Sequence, residues 1–380
     1  MSIKIIVASD SFKGSLSSRE VGEAAARGII AALPHAEVTV IPIADGGEGT
    51  VEAVVSGLGG EIVSATVSGP LGDPVSAQYG ICGDTAVIEM ASASGLPLIP
   101  ERKRNPMLAS SFGTGELILH ALQHGCRDFL IGLGGSATND AGIGMLSALG
   151  FQFLDKDGRR IRGCGGEAGR ITSIDFSDVI TELKMAKFTI ACDVNNPLTG
   201  PNGASMVFGP QKGADDEMAA KLDENLSSFA RTCAKILNTD HSSFPGAGAA
   251  GGMGFAFLSF LNAKLQSGIE MVMDSVNFDS MLENASLVIT GEGRIDNQTC
   301  MGKAPGGILK RCKAHGIPVV AIGGSVEPDA LPSLMEAGFT AIHGVTPPGM
   351  PLSEAIKPEI ASRNVEKTVS KRIKQWLGIE

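Results

Sequence analysis

The chain has 380 residues, 43% hydrophobic and 19% charged, and that length suits two domains because single cores stop growing near ~250–300 residues. A formal net charge of −10, with one Trp and one Tyr, argues against nucleic acid, which needs a basic face and stacking aromatics. A small anionic substrate stays open, since it needs only a few local cations.

Residues 3–8 form an unbroken apolar run, the pattern of a strand buried on both faces of a parallel sheet. Ser17-Ser18-Arg19-Glu20 is a capping box for a helix that buries Val21, Ala25, Ile29 and Leu33 and stops at Pro34. A second strand, 38–43, ends in Ala44-Asp-Gly-Gly-Glu-Gly49, and a helix is predicted over 50–58. Residues 61–91 read as shorter antiparallel strands, which places the start of an inserted domain near residue 65. A strand at 128–133 breaks into Gly134-Gly-Ser-Ala-Thr-Asn-Asp140, a loop of glycines, hydroxyls, an amide and a carboxylate ahead of a short helix. Glycine lets backbone N–H groups approach a ligand closely, and a helix start behind such a loop is a ready anion site. A strand at 188–192, a helix at 215–237 and the loop Pro245–Gly254 follow. Parallel α/β texture returns from 285, with strands at 287–290, 318–322 and 341–345 and a final helix. The predicted fold is α/β: a flavodoxin- or Rossmann-like parallel-sheet domain from both chain ends (1–64 plus 286–380), with a second α/β domain inserted at 65–285.

The seven cysteines are dispersed, without a C-x-x-C pair, and read as reduced thiols. The start of the chain runs straight into a strand rather than a signal segment, and no apolar run reaches membrane-spanning length. The expected setting is cytoplasmic, with no membrane or nucleic-acid partner; nothing in the sequence excludes a homodimer.

In open parallel sheets, ligands bind beyond the carboxyl ends of the strands. The residues at those positions are Asp10, Ser11 and Lys13; Asp45, Gly46, Gly47 and Glu48; Ser136, Thr138, Asn139 and Asp140; Asp193, Asn195 and Asn196; and Glu292, Arg294 and Asp296. A single loop acid usually caps a helix or closes an Asx turn. Carboxylates at almost every predicted strand end are harder to assign that way. Acids able to hold Mg²⁺, with Lys and Arg facing an anion, are the parts of a phosphoryl-transfer site.

Common nucleotide signatures are missing: Gly302-Lys303-Ala304 lacks the glycine and hydroxyl of a P-loop, and no protein-kinase set occurs. Gly132-Leu-Gly-Gly-Ser-Ala137 does match a dinucleotide fingerprint, with Asp155 and Asp157 downstream where a ribose-binding acid belongs. An NAD-dependent dehydrogenase of a small hydroxy acid is therefore one alternative, and a non-enzymatic sugar-acid binding protein is another.

Seven segments together resemble the bacterial glycerate kinase family, the type built from two unlike α/β domains. They are Asp10-Ser-Phe-Lys-Gly-Ser-Leu16, Ala44-Asp-Gly-Gly-Glu-Gly-Thr50, Gly134-Gly-Ser-Ala-Thr-Asn-Asp140, Ala191-Cys-Asp-Val-Asn-Asn-Pro197, Phe208-Gly-Pro-Gln-Lys-Gly213, Pro245–Gly254 and Thr290-Gly-Glu-Gly-Arg-Ile-Asp296. The resemblance implies ATP- and Mg²⁺-dependent phosphorylation of D-glycerate, with 2-phosphoglycerate favoured over 3-phosphoglycerate. It also implies a flavodoxin-like domain, an inserted domain and an active site in the cleft between them.

On chemical grounds Asp45 and Asp193 are the candidate base or Mg²⁺ ligands, with Asp296 a third ligand. Lys13, Lys212 and Arg294 are candidate partners for the glycerate carboxylate or ATP phosphates; Arg294 can grip a carboxylate bidentately. Gly134, Gly135 and the residues through Asp140, and Gly248, Gly251 and Gly252, are candidate phosphate cradles. For the second loop the competing reading is close packing of a helix start, and for Lys212 it is an ordinary surface lysine.

Overall fold

Lys4–Ser9 is a strand with neighbours on both edges, Glu37–Pro42 and Ala285–Ile295, both parallel to it. Five consecutive buried residues, Ile5 to Ser9, explain why this segment takes the centre of a sheet. The computed structural model describes residues 3–379 of the chain. They divide into two compact units. The first takes the residues through Asp45, then Glu52–Gly59 and Ile269 onward; the second takes Gly46–Val51 and Gly60–Gly268. The second boundary thus precedes the expected 285/286. The helices Gly268–Ser275 and Phe278–Met281 go with the first unit because Arg311 holds them. Its guanidinium donates to Glu270 (Nε to Oε2, 2.9 Å) and also binds Asp274 and Asp279.

The sheet of the first unit has five parallel strands. From one edge they run Glu37–Pro42, Lys4–Ser9, Ala285–Ile295, Val319–Val326, Ala341–Gly344. Counted within the unit this is the flavodoxin-like order 2-1-3-4-5, whose topological switch point lies between the first and third strands. The expected strands 287–290 and 318–322 both run further, to Ile295 and Val326. Their glycine-rich ends carry little strand propensity, but pairing with each other, Glu292 opposite Gly323 and Arg294 opposite Ser325, supplies it. Glu292 and Arg294 are therefore strand residues rather than loop residues.

The helix Ser18–Ala32 begins with both halves of the predicted capping box, Ser17 to the Glu20 N–H and Glu20 back to Ser17. Its buried face, including Val21, Ala25 and Ile29, packs into one cluster with Val365, Val369, Ile373 and Trp376 of the last helix, Pro358–Trp376. That amphipathic stripe was legible as four-residue spacing.

The second unit holds a six-stranded mixed sheet. Glu61–Ser68, Pro74–Cys82 and Thr85–Glu89 are antiparallel in turn, as the sequence predicts. Thr85–Glu89, Asp128–Gly132, Lys187–Ala191 and Lys264–Gln266 then run parallel. Helices Phe112–Gln123, Asp216–Leu237 and Ala249–Phe260 contribute to its core, in which Phe188 packs on both Phe129 and Phe257. Among the described residues no helix is long and apolar enough to cross a membrane.

The first and last long helices pack closely at Gly28, where a Cβ would stand 2.5 Å from the Glu366 carbonyl oxygen and 3.1 Å from Ser370 N. Gly28→Ala should therefore cost roughly 1–3 kcal/mol by overpacking, despite its better helix propensity. Chemical denaturation is the check; a variant as stable as wild type would show that the helices part without cost.

Candidate active site

The paired carboxyl ends of the first unit's first two strands are bridged by a hydroxyl as well. Ser18 Oγ donates to the Ser9 carbonyl (2.6 Å) and accepts the Ile43 N–H (2.8 Å). The first two strands consequently end side by side, and each is followed within a few residues by a carboxylate, Asp10 and Asp45. Across the switch point the Asp10 N–H donates to the Gly291 carbonyl at 2.9 Å. That contact places Asp10 beside the Glu292 strand.

Around these ends lies a cleft of about 640 Å³. Its polar part carries Asp10, Ser11, Lys13, Asp45, Glu292, Arg294, Asp296 and Lys303. Its other wall is apolar and comes from the segment after the last strand, including Val345, Met350 and Leu352. Asp10 is only 6% exposed and accepts the Ser11 N–H at 2.6 Å. Burial, then the neighbouring Asp45 charge, raises its pKa to about 7, against opposing pulls from the Ser11 N–H and Lys13. Lys13 Nζ lies 3.7 Å from Asp45 Oδ2. Glu292 is buried; it accepts the Thr299 hydroxyl at 2.7 Å and pairs with Lys303 at 3.1 Å. Lys303 also reaches Asp296 at 3.6 Å. Arg294 is bound to Glu327 and lies 4.0 Å from Asp296. The cleft thus presents carboxylates of two kinds, one protonatable near neutrality, next to ammonium groups.

Lys303 is the residue that sequence reading passed over, because its neighbours fail the P-loop pattern. The signal available was its position: a basic N-cap in front of Ala304-Pro305, which start an eleven-residue helix.

The remaining candidates lie in the second unit. Gly46 crosses the ends of its parallel strands, where a Cβ on Gly132 would stand 2.2 Å from the Gly46 carbonyl oxygen. Glu89, another residue the sequence did not single out, accepts the Val51 N–H at 2.9 Å. Gly47, Gly134, Gly135 and Glu48 are partly or fully exposed, as are Asp193 and Asn195. Asp193 Oδ1 accepts the Gly268 N–H at 3.1 Å, and Asn196 donates to the Asn202 carbonyl at 2.8 Å.

The loop 134–140 is largely occupied by its own protein. Gly135 and Ala137 bond the 94–96 segment, and Asn139 donates to Ser205 Oγ at 2.8 Å. Ser136 and Thr138 are buried. Asp140 is fully buried and accepts the Ser111 N–H (2.9 Å) and hydroxyl (2.8 Å) and the Gly142 (3.1 Å) and Gly144 (3.2 Å) N–H groups. Those last two amides start the helix Ile143–Ala148, where a dinucleotide pyrophosphate would need them. Asp155 closes a turn through the Asp157 and Arg159 N–H groups and pairs with Arg170. The dinucleotide match is therefore filled by the protein's own carboxylates.

Lys212 is not a surface lysine. It is 1% exposed and donates to the Thr138 carbonyl at 2.6 Å, and burial brings its pKa down to about 7. The second glycine loop, with Gly248, Gly251 and Gly252 all buried, packs against the first. At Gly251, φ is +67° and a Cβ would meet the Thr138 oxygen at 2.0 Å. Close packing of backbones accounts for that glycine without a ligand.

Among the described residues, no three His, Cys, Asp or Glu side chains converge as a metal cage. Mg²⁺ in phosphoryl transfer commonly takes only one or two carboxylates and completes its shell with water and substrate phosphates. Asp45 and Asp296 on the cleft fit that smaller requirement, and the crowding that raises Asp10 would be relieved by a cation.

Two outcomes follow from this geometry. Folding raises the Asp10 pKa, so between about pH 4 and 7 the folded protein keeps a proton that the unfolded chain releases. Stability from this group is complete below about pH 4 and is lost as pH rises towards 7. Asp10→Asn should thus stabilise by on the order of 2 kcal/mol at pH 8 and by almost nothing at pH 4. Thermal melts across that range would refute it by showing a pH-independent difference. Asp140→Ala strands four donors and should cost about 3–5 kcal/mol; a denaturation midpoint near wild type would deny Asp140 its internal role.

A family model described as the glycerate kinase family matches residues 5–377. A protein named glycerate kinase from Bacillus cereus is 51% identical over 376 residues, covering 98% of each chain. One named glycerate 2-kinase from Escherichia coli is 46% identical, covering 97% of this chain and 98% of that one. The crystal structure of a "putative glycerate kinase 2" from Salmonella typhimurium LT2 superposes with a TM-score of 0.90 at 44% identity, covering 99% of this chain and 98% of that chain. With the family matched along nearly its whole length, the chain belongs to the glycerate kinase family.

Proposed function

We propose that the protein transfers the terminal phosphoryl group of ATP to a hydroxyl of D-glycerate, with Mg²⁺, giving 2-phosphoglycerate in preference to 3-phosphoglycerate. Family membership supports glycerate kinase activity. The observation that carries the chemistry is the Asp10–Asp45 pair beside Lys13, next to the sheet's switch point.

Asp45, at 26% side-chain exposure, is the member of the pair open to substrate, while Asp10 is buried behind it. The acceptor hydroxyl passes its proton to Asp45, beside which buried Asp10 has a pKa raised to about 7 by desolvation and then by the Asp45 charge. Lys13 and Lys303 balance charge on the phosphates, and Arg294 orients a carboxylate. Glu292 and Thr299 hold Lys303 in place through their hydrogen bond and ion pair. Mg²⁺, held by Asp45 with Asp296 nearby, would neutralise phosphate oxygens during transfer. The dehydrogenase reading loses its ground because Asp140 takes the helix-start amides.

The test is a reaction of purified protein with ATP, Mg²⁺ and D-glycerate, followed by ³¹P NMR of the product. A signal for 2-phosphoglycerate is expected; absence of any phosphoglycerate overturns the reading. Asp45→Asn, with the fold checked by circular dichroism, should lower kcat by about 10²–10⁴-fold. Turnover within a few-fold of wild type would remove Asp45 from the proton-accepting role.

A further inference from the structure

We infer that the apolar wall of the first unit's cleft, formed by Val345, Met350, Leu352, Ala355 and Ile356, seats the nucleobase of the phosphoryl donor; this rests on the kinase reading above. These side chains line the same cavity as Lys13, Asp45 and Lys303. Leu352 is 75% exposed and Ile356 is 41% exposed, an unusual amount of large aliphatic surface left to water on a cleft wall.

The wall is also held in shape. The Val345 N–H donates to the Gly323 carbonyl (2.8 Å) and the Thr346 hydroxyl to the Gly324 carbonyl (2.6 Å), which ties the segment to the neighbouring strand. Further along, the Met350 N–H returns to Pro347 (3.2 Å) and Asn364 reaches Met350 Sδ (3.6 Å). A surface ordered in this way binds without a large entropic cost.

Of the two substrates, only one has a body to match. Glycerate carries a polar group on each of its three carbons and has no face to bury. A nucleoside triphosphate has a flat, weakly polar base at one end and anionic phosphates at the other. The cleft offers both kinds of lining: aliphatic side chains from the segment after the last strand, and ammonium groups with metal-compatible carboxylates from around the strand ends. At about 640 Å³ it is also far larger than a three-carbon acid requires and falls in the range of nucleotide-sized sites.

The double variant Leu352→Ser/Ile356→Ser removes the exposed aliphatic groups without adding charge, and both positions face solvent, so folding should survive. Loss of the shelf should raise the KM for ATP about tenfold or more, leaving kcat and the KM for glycerate within about twofold of wild type. Calorimetry gives a reading independent of turnover. Wild type should bind ATP more tightly than inorganic tripolyphosphate, and the variant should bind the two alike. An unchanged ATP preference in the folded variant, or a rise confined to the glycerate KM, overturns the assignment while wild-type activity stands. A wild type that phosphorylates no glycerate instead overturns the kinase reading, and one that binds ATP no better than tripolyphosphate overturns the shelf.

Discussion

Between the first two strands of the five-stranded sheet a single buried hydroxyl, Ser18 Oγ, accepts from one strand end and donates to the other. Ser18 also begins the first helix, so the same residue fixes where the helix leaves the sheet. The positions of Asp10 and Asp45 follow from it. Burial of Asp10, with the Asp45 charge beside it as the lesser cause, raises the Asp10 pKa to about 7. Glu292 on the third strand pairs with Lys303, at the start of the following helix, and both line the cleft. The cleft's polar lining is thus assembled from strand ends and one helix start.

The second unit uses its glycines and its acids differently. Its two glycine-rich loops approach each other so closely that backbone atoms replace side chains at the contact. Asp140 then satisfies amides that a helix start would otherwise leave to a ligand. Lys212 lies beneath the same loop and bonds a backbone carbonyl. Residues that in sequence look equally suited to a phosphate are here committed to holding a loop in shape. The exposed edge of that loop is confined to Gly134 and Gly135.

Much of the architecture was legible because it rests on local pattern. The apolar run at Ile5–Ala8, the capping box at Ser17 and the four-residue spacing of the first and last helices each report local physics, and each matches its element. The strand lengths beyond Thr290 and Ile322 were not legible, because their glycine-rich ends are held by a partner strand rather than by their own propensity. In the same way Lys303 was hidden by a motif that failed, although its N-cap position marked it.

The sequence by itself determined the α/β class, the return of the chain's end to the sheet begun by its start, and the family, since ordered motifs and hydrophobic periodicity are properties of the string. Which polar residues face a cleft was decided only by tertiary structure. Asp10 and Asp140 are both acids just beyond a predicted strand. One borders a cavity beside a second carboxylate, and the other is enclosed by four protein donors. Burial and neighbours set that difference, and the deciding ones, Ser111 at Asp140 and Asp45 and Glu292 near Asp10, come from other segments of the chain.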